Sequence, residues 1–141
     1  MDDLSLLPSP VSNGDSQPYW AAAQEKRLVI RQCKECNKLH FMPRHLCPYC
    51  WSDQLEWIDA RGTGTVHSYT IIRRSPLAAF NSRVPYVVAL IDLDEGPRMV
   101  SNILGADALD VKIGDAVQVI FEEREGGGKV PQFKRAGNEF A

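Results

Sequence analysis

Two Cys-x-x-Cys pairs stand ten residues apart in this chain, Cys33-Lys34-Glu35-Cys36 and Cys47-Pro48-Tyr49-Cys50, and they use all four cysteines of its 141 residues. A Cys-x-x-Cys turn puts two thiolates on one side of a knuckle, at the separation a tetrahedral metal requires. A second knuckle from a facing hairpin completes four ligands. Four sulfurs leave no position open to water, so zinc held by Cys33, Cys36, Cys47 and Cys50 is structural, not catalytic. Rubredoxin-type iron uses similar spacing and stays as the alternative metal. Disulfides are disfavoured. The first 25 residues carry Asp2, Asp3 and Asp15 and no base before Lys26, unlike a secretory or transit peptide. A reducing cytosol keeps thiols free, and a cytoplasmic location is expected. His40 and His45 lie between the pairs, and with four sulfurs available they are expected at the surface or facing a substrate. Binding a metal supplies about 10–16 kcal/mol in small modules, which matters to a segment too short for a core of its own.

The rest of the chain is organised around this module. Residues 1–15, with Pro8, Pro10, Asn13 and Gly14, read as a flexible arm. Residues 16–27 read as a short helix capped by Ser16, with Pro18 in its first turn and Tyr19 and Trp20 as its bulky handles. So short a helix must dock on something, and a partner's surface is one place for those two aromatics. Residues 28–58 form the ribbon. From 59 to 141 the pattern is five strands and a short C-terminal tail, with the only helix-permissive gap between the third strand, RMVSNIL, and the fourth. That is the strand plan of an OB-fold barrel, although alternation alone does not separate it from an SH3-like barrel. Val87, Ala89, Ile91 and Leu93 alternate toward one face, as do Val117, Val119 and Phe121. No apolar run approaches the roughly 18 residues of a membrane span.

The net charge of −2 conceals blocks: residues 26–45 carry +5, residues 92–125 carry −6, and residues 60–91 contain no acid but hold Arg61, Arg73, Arg74 and Arg83. The acid-free stretch, with a loop bracketed by Pro76 and Pro85, suggests a local anion site. No G-x-S-x-G elbow, paired-carboxylate site or redox fingerprint is present, and GGGK at 126–129 lacks the frame of a phosphate loop. No catalytic residue is expected. A single-strand nucleic-acid module would use Tyr69, Phe80 and Tyr86 for stacking, but the acidic block disfavours it.

The ordered motifs, L-V-I-R-Q-C-K-E-C, P-R-H-L-C-P-Y-C at 43–50 and G-T-G-T-V-H-S-Y-T at 62–70, resemble the zinc-ribbon plus OB-fold proteins that accompany acyl-CoA enzymes. The resemblance covers roughly residues 16–136. It implies a mainly β chain: short N-terminal helix, rubredoxin-like zinc ribbon and five-stranded OB-fold β-barrel. It also implies a non-catalytic accessory subunit, first of a thiolase-fold enzyme that makes or breaks C–C bonds, or of a hydratase or aldolase. On that view the thiolase or acyltransferase-type enzyme requires the subunit in a hetero-oligomer such as two copies of each. The subunit helps form the CoA or acyl-CoA surface. Arg73, Arg74 and Arg83 would then meet phosphates, and Phe80 would line the pantetheine or acyl path.

Overall fold

The computed structural model describes residues 9–75, 78–124 and 127–136. Residues 1–8 of the expected arm, Pro76 of the bracketed loop, Gly126 of the glycine run and the tail from 137 lie outside the described residues.

A turn at Asn13–Ser16 starts the ordered chain. Ser16 N–H donates to Asn13 Oδ1 at 2.8 Å, and Asn13 N–H donates to Ser16 Oγ at 3.0 Å. Ser16 therefore spends its hydroxyl backward and does not cap the helix as the sequence suggests. Helix α1 (Gln17–Gln24) carries Pro18 in its first turn, where a missing N–H costs nothing. It stops short of residue 27 because Lys26 turns left-handed at φ 61°. Lys26 N–H then donates to Ala23 O, and Arg27 N–H donates to Ala22 O, a Schellman closure.

Three antiparallel strands build the ribbon sheet in the order β2-β1-β3: β1 (Val29–Cys33), β2 (Leu39–His40) and β3 (Leu55–Asp59). The sequence reading does not anticipate β3, since five residues with two exposed acids carry little periodic signal. It forms because β1 offers it a full edge, from Val29 opposite Asp59 to Cys33 opposite Leu55.

Five strands then close a barrel, β4 (Thr63–Ile72), β5 (Tyr86–Leu93), β6 (Arg98–Leu104), β7 (Ala116–Glu123) and β8 (Lys129–Arg135), in the order β4-β5-β6-β8-β7 with β7 returning to β4. The β6–β8 pair is parallel, and a single 3-10 turn, Ala108–Asp110, fills the gap between the third and fourth barrel strands. This is the OB-fold plan. A one-turn helix α2 (Ala78–Asn81) lies in the β4–β5 loop.

Helix, ribbon and barrel share one core. Tyr19, Ala22, Leu28, Val29 and Ile30 pack in the same cluster as Val66, Ile91, Ile103, Val117 and Phe133. Ile30 and Phe133 are completely buried. Each such side chain contributes roughly 1.5–3 kcal/mol by leaving water, so the ribbon is anchored to the barrel through the first half of β1.

Two glycines let the barrel close. Gly62 has φ 80°, and a Cβ there would stand 2.4 Å from Val119 Cγ1. A Cβ on Gly64 would stand 2.5 Å from the Asp92 carbonyl oxygen, which as backbone cannot swing aside. Gly64→Ala is expected to destabilise the chain by about 3 kcal/mol in denaturant unfolding. Gly14→Ala, with nothing within 4 Å of its Cβ position, should leave the midpoint unchanged.

Candidate metal centre and adjoining cleft

The two Cys-x-x-Cys turns have the same backbone pattern. In the first, Cys33 N–H donates to Lys38 O at 3.0 Å and Asn37 N–H to Cys33 O at 2.9 Å. In the second, Cys47 N–H donates to Ser52 O at 2.8 Å and Trp51 N–H to Cys47 O at 2.9 Å. The residue after each second cysteine turns left-handed, Asn37 at φ 64° and Trp51 at φ 69°. Asparagine adopts this region readily, whereas a bulky tryptophan does so only when the surrounding loop imposes it. Amides also aim at the sulfurs: Cys36 N–H at Cys33 Sγ and Tyr49 N–H at Cys47 Sγ, both 3.4 Å.

The four Sγ atoms lie within 4.8 Å of one another, with Cys33–Cys50 at 3.6 Å and Cys36–Cys47 at 3.7 Å. A tetrahedron with metal–sulfur bonds of about 2.3 Å has edges of roughly 3.8 Å, so the spacing fits one metal ion. All four cysteines are free of disulfides. The Cys36 amide holds the Cys33 thiol down to about 7, whereas burial and the three neighbouring sulfurs push Cys50 up.

Neither histidine joins the sulfurs. His45 is exposed, 3.7 Å from Asp15. His40 departs from the surface position the sequence suggests: it is 6% exposed, and neither ring nitrogen has a hydrogen-bond partner among the described residues. Burial, then the charges of Arg31 and Arg44, push its pKa down and keep it neutral. Its place opposite Arg31 in the β1–β2 pair turns it inward.

A cleft of about 290 Å³ opens where α1, the ribbon tip and the barrel meet, lined by Trp20, Phe41, Met42, Pro43, Val130 and Pro131 among others. A second hollow of about 340 Å³ continues from it across Val130 and Pro131 to Phe80, Tyr86, Arg124 and Gln132. Tyr19 borders the cleft but is almost entirely buried. It is 6% exposed, edge-on to Trp20 and Phe41, and belongs to this chain's own core, so of the two helix aromatics Trp20 presents the surface.

The arginines of the acid-free stretch separate. Arg83 is committed to Glu122 at 2.6 Å within the chain. Arg73 and Arg74 are exposed beyond the end of β4 and make no ion pair among the described residues. Phe80 stacks at a tilt on Tyr86, ring centres 5.8 Å apart. Tyr69 pairs with Ala89, a buried residue, so it lies on the opposite side of the sheet from Tyr86 and the stacking candidates share no single face.

Sequence reasoning misses Glu122. It sits in the acidic block, where strand ends and solvation are the ordinary explanation. Instead it is clamped between Arg83 and the buried Arg124, and Gln132 Nε2 donates to it at 3.3 Å. Burial alone would raise its carboxyl. Hydrogen bonds and charge from the two arginines outweigh that and bring it down to about 2. Gln132 in turn accepts from Ser101 Oγ and from the Asn102 amide, both at 3.1 Å, across the stretch where β6 and β8 do not pair.

Both domains of one family match. Residues 20–56 match "ChsH2, rubredoxin-like zinc ribbon domain", and residues 57–122 match "ChsH2, C-terminal OB-fold domain". The chain is 37% identical over 132 residues to a probable enoyl-CoA hydratase alpha subunit of Thermomonospora curvata, covering 94% of this chain and 41% of that protein. It therefore spans about two fifths of that relative's length. It is 37% identical over 106 residues to a DUF35 domain-containing scaffold protein of Methanothermobacter thermautotrophicus, covering 74% of this chain and 79% of that one. The benzoylsuccinyl-CoA thiolase subunit BbsA of Thauera aromatica is 26% identical over 98 residues, 67% of this chain and 66% of that one. Among solved structures, a chain of the Ltp2-ChsH2(DUF35) aldolase superposes with TM-score 0.79 at 36% identity, covering 89% of this chain and 98% of that one.

Two outcomes follow from the geometry. Cys47→Ser removes one of four sulfurs and is expected to lose the metal together with most soluble protein, while a strong chelator lowers the melting temperature of the intact chain. Glu122→Gln leaves Arg83 and Arg124 facing each other and should cost about 1–3 kcal/mol at neutral pH. Because the folded carboxyl lies below its ordinary value of 4.5, the stabilisation is full above that pH and fades as pH falls toward about 2. The gap between wild-type and Glu122→Gln melting temperatures should narrow over that window.

Proposed function

We propose, from the premise that this chain belongs to the ChsH2 family of DUF35 zinc-ribbon and OB-fold proteins, that it is a non-catalytic subunit which docks on and completes an acyl-CoA enzyme. The observation that carries the reading is the match, over nearly the whole of both chains, to a ChsH2(DUF35) chain described as part of an aldolase. The enzyme it partners is a thiolase-fold subunit acting on C–C bonds, supported by the likeness to BbsA. An aldolase or hydratase partner is the second reading, favoured by the names of the other relatives.

The metal is zinc, and its role is structural. A set of four soft thiolates suits it, and the backbone of each knuckle is already set for it. When bound, it supplies the cross-link that a three-stranded sheet of this size lacks. Iron remains the alternative for the same four sulfurs. A reducing cytosol would keep them available.

The CoA thioester lies at or near the subunit interface. The apolar cleft beside Trp20, Phe41 and Pro43 accepts its uncharged arm, and the adjoining hollow leads to Phe80 and Tyr86. Tyr86 pairs with Ile72, the residue before Arg73, so Arg73 and Arg74 stand where that path opens. A charge-assisted hydrogen bond from one of these arginines to phosphate holds the anionic end and leaves the other to the partner's surface. The side chains of this subunit bind, orient and exclude water, while the partner supplies the reacting groups.

Elemental analysis of the purified chain is expected to show one zinc per chain, and an iron-type absorption spectrum in its place would reverse the assignment. Co-expressed with the thiolase-fold subunit encoded nearest to it, the chain should co-elute as a hetero-oligomer of even stoichiometry, such as two of each, because thiolase-fold enzymes are dimers about a twofold axis. Turnover of acyl-CoA by that enzyme should fall when the chain is omitted. A monomeric chain beside a fully active enzyme would refute the reading.

A further inference from the structure

The outer face of the barrel sheet formed by β4, β5 and β6 carries side chains unlike those of an ordinary solvated surface. Strand register sets it out in rows. Leu90 lies between Ser68 on β4 and Val100 on β6. Val88 lies between Thr70 and Asn102, and Tyr86 pairs with Ile72. The residues that alternate with these on β5, Val87, Ala89 and Ile91, are buried in the core, so the rows point outward. None of the eight positions is charged, and five are apolar. Val100, at the centre of β6, is 62% exposed. A scattered surface valine needs no explanation, but a contiguous apolar patch on a sheet marks a site of contact.

Charge bounds the patch asymmetrically. On one side the next row is Thr65, Asp92 and Arg98, where Asp92 pairs with Arg98 at 2.6 Å and faces His67 at 3.4 Å. On the other side β4 runs into the exposed Arg73 and Arg74. All of β4 and β5 as far as Ile91 lie in the stretch from 60 to 91 that has no acid. Arg73 and Arg74 make no ion pair among the described residues, so the rim is positive at that corner, and the surface that covers it is apolar at its centre and acidic at its edge.

We propose that this β4-β5-β6 face is where the acyl-CoA enzyme subunit docks, through an apolar patch rimmed by Asp or Glu. The inference rests on the partnership stated above and adds the location and chemistry of the contact. Val100 is also the ridge between this face and the apolar cleft, which it lines from the other side. A partner seated on the face closes over the cleft mouth.

The test measures affinity of the full chain for the co-expressed and purified thiolase-fold subunit encoded nearest to it, without CoA, by calorimetry. Val100→Asp places a carboxylate in the centre of the face at an exposed position, so the fold should survive, as an unchanged melting temperature would confirm. It should weaken binding about tenfold or more. Val100→Lys should weaken it less, because its long apolar stem carries the ammonium from the centre out to the acidic rim. Ile113→Asp, at a 69% exposed position in the turn before β7, should bind as wild type. Wild-type affinity in Val100→Asp, or a greater loss in Val100→Lys than in Val100→Asp, overturns the inference while leaving the partnership standing. A wild-type chain that does not bind the enzyme at all refutes the partnership itself and this inference with it. A homodimer of the chain alone that Val100→Asp dissociates would assign the face to a second copy and also overturn it.

Discussion

Four sulfurs held within 4.8 Å of one another form the constraint from which the N-terminal half is built. Such a cluster repels itself once its thiols ionise, and a metal ion converts that repulsion into a cross-link. Cys33 is both the first of these four cysteines and the last residue of β1. The strand thus joins the metal site at one end to the common core at the other, where Val29 and Ile30 meet barrel residues. Losing the metal would release β1 at its far end, and with it the edges on which β2 and β3 depend.

The barrel has its own point of tension. Its ring closes through a parallel β6–β8 contact whose register spans only Ile103 with Phe133 and Leu104 with Lys134. Beyond that contact the two strands are bridged by side chains. Gln132 accepts from the Asn102 amide, and Ser101 Oγ donates to the Pro131 carbonyl at 3.1 Å. The arginine-clamped Glu122 accepts from the far end of the same glutamine. Unpaired backbone groups would be costly here, so a polar network takes the place of a ladder. The opening it keeps is the hollow between Phe80, Tyr86 and Pro131.

These two features divide the molecule's work. The metal module and core hold helix, ribbon tip and barrel at a fixed angle, and their junction makes the apolar cleft. The uncharged sheet face lies next to that cleft, with Val100 on both. A subunit with these surfaces suits a role in which it covers another protein's site and supplies one wall, with no reacting group of its own required. The arginines fit this division. Arg83 and Arg124 neutralise Glu122 inside the chain, and Arg73 and Arg74 stay exposed with no ion pair among the described residues.

The sequence alone was enough to single out the four cysteines that the fold gathers, the helix–ribbon–barrel order and the inward face of β5, because each rests on local spacing: knuckles of fixed length and alternation with a period of two. The two glycines at 62 and 64 were visible in the 62–70 motif, but their cause lies in Val119 and Asp92, distant in the chain. Long-range packing decided the rest. Tyr19 looked like a docking handle until the core claimed it. Arg83 looked like a phosphate ligand and has a carboxylate 39 residues away. His40 went inward because β1 and β2 pair at Arg31, and Glu122 left solvent for a clamp of two arginines. Whether an aromatic or an ion faces water depends on which strand lies across from it, and strand register between distant segments is set by closure of the barrel and not by any neighbouring residue.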